Sequence, residues 1–142
     1  MTAVDTCDVL NRLLILHSRS LPMYLSYAAP WKLKADARAA AVLDQVVADQ
    51  KRTVDRLANL MLESNCTLDQ GEFPMSFTGL HDLSMDYLVS LCIDRQKKLI
   101  RVIDRLADSL SLAPFAQAAA REALGEAKGH LENLEELRGV AA

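Results

Sequence analysis

Apolar residues recur every three or four positions through four long stretches of this chain, and that spacing leaves the α-helix as the regular structure able to bury them. The first stretch carries Leu10, Leu13, Leu14, Leu21, Tyr24, Leu25 and Ala28 on one stripe. The second carries Ala39, Leu43, Val46, Leu57 and Leu60. The third carries Met85, Leu88, Cys92, Leu99, Ile103, Leu106 and Leu110. The fourth carries Leu124, Ala127, Leu131, Leu134 and Leu137. Hydrophobic residues make up 51% of the 142 and aromatics 5%, a balance that favours helix over strand.

These stripes predict an all-α chain forming one domain, 1–142. The first helix is expected from Thr2 or Asp5 to Ala29, kinked at Pro22, where a proline removes a donor and crowds the preceding turn. The second is expected over 36–63, ending at Ser64 and Asn65. The third is expected over 80–110, and the fourth from Pro114 to Leu137, with a fraying tail at 139–142. Residues 66–78 are less periodic, with Gly71 and Pro74 inside and Gly79 just beyond. Phe73, Met75 and Phe77 either close the side of the fold or present an apolar patch. The first and second helices share a short link, as do the third and fourth; the link between the second and third is longer. Short links make antiparallel neighbours, so the expectation is an antiparallel four-helix bundle, with a longer link able to travel its length.

Polar residues interrupt the stripes at one level. His17 falls in the middle of the first, Gln50 and Thr53 in the second, and His130 between Ala127 and Leu134 in the fourth. Side chains of this kind at core positions imply a buried polar layer, either a structural network that fixes helix register or a site.

Helix order and this layer resemble the ferritin-like superfamily. Its di-metal members place a glutamate on helix one, Glu-x-x-His on helix two, a glutamate on helix three and Glu-x-x-His on helix four. On the resemblance, Tyr24 is the inward tyrosine two turns after the first ligand, which puts His17 at that ligand position. Gln50 and Thr53 stand for the glutamate and histidine of helix two. Helix three has Asp94 as its carboxylate between Cys92 and Gln96. Helix four keeps His130, but Ala127 replaces the glutamate, with Glu126 one residue away. The resemblance implies a ferritin-like bundle with a crossover between helices 2 and 3 and a degenerate di-iron site. Two iron ions need bridging carboxylates that this set lacks, so a binding or association role is expected rather than iron oxidation or other catalysis. The alternative is a metal-binding protein or oxidoreductase with a mononuclear site on His17 and His130, drawing also on Gln50, Asp94 and Glu126, or on Asp49. Iron or zinc is then the ion, and no other cofactor is expected. Cys92 is either a soft third ligand or a small core residue, the scattered methionines read as core filler, and His81 is expected at the surface.

Other classes are disfavoured. The net charge of −3 supplies no electrostatic footprint for nucleic acid. No apolar run approaches the ~20 residues of a membrane span, and Met1 to Leu16 lacks the basic start of a signal peptide. Cys7, Cys66 and Cys92 are odd in number and far apart, so free thiols and a cytoplasmic setting are expected. No phosphate-binding loop, nucleophile elbow or HExxH occurs. The partner expected is a second copy, in a homodimer.

Overall fold

A computed structural model describes residues 3–31 and 35–141, without the side chains of 3, 4, 81 and 139–141. The surface expectation for His81 and the end of the tail, Ala142, therefore lie outside what is described. The chain is all-α: α1 spans Ala3–Ser18, α2 Leu21–Ala28, α3 Ala37–Glu63, α4 Met85–Asp108 and α5 Pro114–Ala141. Two 3-10 turns, Met75–Phe77 and Leu80–Asp82, punctuate the segment before α4. No described helix is long and apolar enough to cross a membrane.

The first stretch departs from expectation. It breaks at Arg19–Ser20 instead of bending at Pro22, because Ser20 adopts an extended conformation and its Oγ accepts the Met23 N–H at 3.2 Å. Pro22 then falls in the first turn of α2, where its missing N–H costs nothing. Asp36 caps α3 in the same way, accepting from Ala39 N. The third stretch starts later than expected, at Met85, because Ser84 supplies the cap. The last runs on past Leu137 to Ala141.

Two buried clusters fill the interior. One gathers Leu10, Leu13 and Leu14 of α1, Leu57 and Met61 of α3, Ile103 and Ala107 of α4, and Ala116 to Ala127 of α5. The other gathers Leu21 and Leu25 of α2, Ala39 and Leu43 of α3, Leu88 to Ile93 of α4, and Leu134 of α5. The chain thus passes from the first cluster to the second in α1 and α2, and returns in α3. The segment 64–84 carries it back to the second cluster; α4 descends and α5 climbs again.

That segment is anchored at both ends. Asn65, at φ 58°, closes α3 with Cys66 N donating to Met61 O at 2.8 Å and Asn65 N to Leu62 O at 3.2 Å, the paired bonds of a Schellman motif. The turn delivers Cys66 to Cys7, and the two form a disulfide. This overturns the expectation of three free thiols and removes the ground on which a cytoplasmic setting was expected. Further on, Gly71 takes φ +67° close against α1, where a Cβ would meet Ile15 at 3.1 Å. The three apolar residues of this segment divide: Phe77 is buried, Phe73 packs edge-on to Tyr24 at 5.3 Å, and Met75 is exposed.

Candidate metal centre

Between the two apolar clusters, α1, α3, α4 and α5 all contribute polar side chains to one level. His17, Asp49, Gln50, Gln96 and His130 are all buried. His17, Gln50, Thr53, Gln96, Glu126 and His130 line a cavity of about 10 Å³, near the lower limit for a single water-sized occupant.

Most of the layer is satisfied from within. His17 Nδ1 bonds the Leu13 carbonyl at 2.7 Å, and burial holds its pKa below the ordinary value, so the ring is neutral at pH 7. Donation from Nδ1 to that carbonyl leaves Nε2 as the acceptor. Ser20 donates to Gln50 Oε1 at 2.6 Å. Gln96 Nε2 donates to the Ala127 carbonyl at 3.0 Å, fastening α4 to α5.

His130 is the exception. Its Nε2 is buried and has no hydrogen-bond partner among the described residues. It lies 3.1 Å from Asp49 Oδ2, close enough for a bond but not aligned for one. Burial lowers the His130 pKa, opposed by the neighbouring Asp49 carboxylate, and the Arg52 charge lowers it further. Asp49 Oδ1 is held by Gln45 Nε2 at 2.9 Å and by Arg52. Glu126, half-buried one turn before His130, has its pKa raised by burial and then by the Asp49 charge. Ligand atoms of Asp49, Glu126 and His130 all lie within 4.8 Å of one another.

This trio fits a divalent cation. Two ligands each about 2.0–2.1 Å from one ion, at angles between octahedral and tetrahedral, stand roughly 2.9–3.4 Å apart, and the Nε2–Oδ2 separation is 3.1 Å. Two carboxylates balance a double positive charge, and a neutral imidazole supplies the nitrogen that zinc and ferrous iron accept.

The structure brings His17, Gln50, Thr53, Glu126 and His130 to one cavity. Asp94 does not join them: it is exposed. Two residues beyond Cys92 on a helix is a rotation of about 200°, which turns Asp94 away from the face that buries Cys92. Gln96, four residues on, takes the inward position. Its signal was present, since Leu88, Cys92, Gln96, Leu99 and Ile103 form one continuous stripe. His17 and Gln50 belong to the layer but not to the trio. Cys92 packs in the second apolar cluster, its thiol pushed up to about 12 by burial, and its sulfur is not among the ligand atoms that converge with His130. Glu132, Glu135, Glu136, Asp104 and Asp108 lie on exposed faces.

Comparison of the chain with protein-family models, with curated proteins and with solved structures finds no match.

Proposed function

We propose that this protein binds one divalent transition-metal ion, zinc or ferrous iron, through Asp49, Glu126 and His130. The observation that carries the reading is the buried His130 Nε2, which faces a carboxylate oxygen at 3.1 Å and makes no hydrogen bond among the described residues. Buried polar atoms in native folds are nearly always paired, and an ion seated between nitrogen and carboxylates supplies the missing partner. His17, neutral and fixed by its bond to Leu13, borders the same cavity. The set holds too few carboxylates to bridge two iron ions, so the role is metal binding and not di-iron oxidation.

The test is calorimetric titration of zinc, and spectroscopic titration of cobalt(II), into metal-free protein. One ion per chain is expected, with affinity at least about tenfold weaker in His130→Ala and Asp49→Asn. Equal binding by wild type and both variants overturns the reading.

The same proposal covers the architecture: a ferritin-like antiparallel bundle in which α1 and α2 together form the first helix. Its support is the sharing of cluster ends, which makes α3 and α4 run in the same direction with 64–84 as the crossover. Nuclear Overhauser contacts between the start of α3 and the start of α4 are expected. Contacts from the start of α3 to the end of α4 would exclude it.

A homodimer is the second part of the reading, favoured by Leu112 and Phe115, which are 72% and 81% exposed beside each other at the entry to α5. Sedimentation should show a dimer that Phe115→Ser dissociates; a monomeric wild type rejects it.

A further inference from the structure

The break between α1 and α2 does more than cap a helix. It opens a cavity of about 250 Å³ between the α1–α2 junction, the crossover segment and α4. Ile15, Leu21, Pro22, Leu99 and Val102 give it an apolar lining. Cys92 also borders it, as a neutral thiol.

Its rim is positive. Arg95 and Lys98 stand one turn apart on α4, and Arg19 faces them from the junction. Arg19 is already engaged: its Nε donates to the Gly71 carbonyl at 3.1 Å and its guanidinium lies 4.9 Å from the centre of the Phe73 ring. Arg95 rests over Phe77 at 4.4 Å, which orients its plane without neutralising it. Neither Arg95 nor Lys98 forms an ion pair among the described residues. Glu72 is the one acid among the described residues of the rim, and three cations against it leave a surplus of two charges there.

We infer that this cavity binds a small monocarboxylate with an apolar tail, its head on Arg95 and Lys98 and its tail against Leu21, Leu99 and Val102. The volume lies just below the ~300–1,000 Å³ of drug-sized ligand sites, which suits a chain of six to eight carbons. Apolar walls with a few placed polar groups are the usual makeup of a small-molecule site, and charge-assisted bonds from arginine and lysine favour a carboxylate head. The presence of Glu72 disfavours a doubly charged phosphate. This site is independent of the metal trio and is tested without metal.

The experiment is titration of isotope-labelled octanoate into the metal-free full-length chain, followed by nuclear magnetic resonance, with octanol and octylammonium as controls. Octanoate is expected at one site, with both controls at least about tenfold weaker. The surface pair Arg95→Gln/Lys98→Gln should weaken octanoate by about tenfold or more at unchanged helix content, and Val102→Trp should block it. Octanol binding as tightly as octanoate, multi-site binding, or an undiminished affinity in the Arg95→Gln/Lys98→Gln protein overturns the inference.

Discussion

The Ser20 hydroxyl donates to Gln50 Oε1 at 2.6 Å, so the residue that interrupts the first helical stretch also holds a member of the buried polar layer. Ser20 Oγ also accepts the Met23 N–H that starts α2. A serine here therefore serves both the local chain and the tertiary layer.

Ser20→Ala should remove both bonds at once. The lost cap costs about 1 kcal/mol, and a part-buried amide oxygen without a donor costs about 1–2 kcal/mol more. Chemical denaturation should show a loss of roughly 2–3 kcal/mol. An unchanged midpoint would mean that neither bond contributes.

His130→Leu separates stability from binding. Asp49 keeps Gln45 and Arg52 after the change, so no acid is orphaned, and a buried nitrogen without a partner disappears. Metal-free protein should be as stable as wild type or more stable, by up to about 1 kcal/mol, while metal binding is lost. A loss beyond about 2 kcal/mol would show that the imidazole is well paired in the apo fold.

The helices and their inward faces were legible because burial follows a 3.6-residue period: the stripe through Leu43, Val46, Gln50 and Leu57 could be read from spacing alone. His17, Gln50 and His130 were visible as polar residues on such stripes. What spacing could not show was which flanking acid turns inward. Asp49 and Gln50 are neighbours about 100° apart on α3, and only the position of α5 makes Asp49 the residue that meets His130. The break at Ser20 was hidden behind Pro22, a stronger breaker by type but harmless in a first helical turn. The Cys7–Cys66 pairing was illegible because it depends on the Schellman turn at Asn65 and on where α1 lies beside it.

That disulfide closes a loop with a sequence separation of 59. Chain-entropy reasoning puts its contribution near 4 kcal/mol, with engineered cases often lower. Cys7→Ser/Cys66→Ser protein should lose about 2–4 kcal/mol by denaturant titration under oxidising conditions. Reduction of wild type should reproduce the loss, and identical curves with and without reductant would deny the bond a stabilising role.

Cys92 should be inert in the native state. Its thiol is buried and pushed up to about 12 by desolvation, against a smaller opposing effect of Arg95, so almost no thiolate exists at pH 8. A thiol-reactive chromogen should count no free cysteine in folded, non-reduced protein and one after unfolding. Rapid native labelling would mean that the reagent reaches the sulfur through the cavity it borders and finds it as thiolate.

Acid sensitivity follows from the two buried imidazoles. His17 and His130 both have folded pKa values below the ordinary 6.5, chiefly from burial. Below pH 6.5 the unfolded chain takes up protons that the folded chain refuses, so stability falls as pH drops and stops falling once the folded pKa values are passed. Glu126 acts in the opposite sense: its raised folded pKa means the folded chain binds the extra proton. It therefore adds stability as pH falls through that raised value toward 4.5, which offsets part of the histidine loss at the acid end. For His17 the limiting slope is about 1.4 kcal/mol per pH unit. Unfolding free energies of metal-free wild type should decline between pH 7.5 and 5.5, and His17→Leu should flatten the decline. Parallel profiles for the two proteins would mean that His17 takes up its proton as readily in the fold as in the unfolded chain, its bond to the Leu13 carbonyl then offsetting the effect of burial.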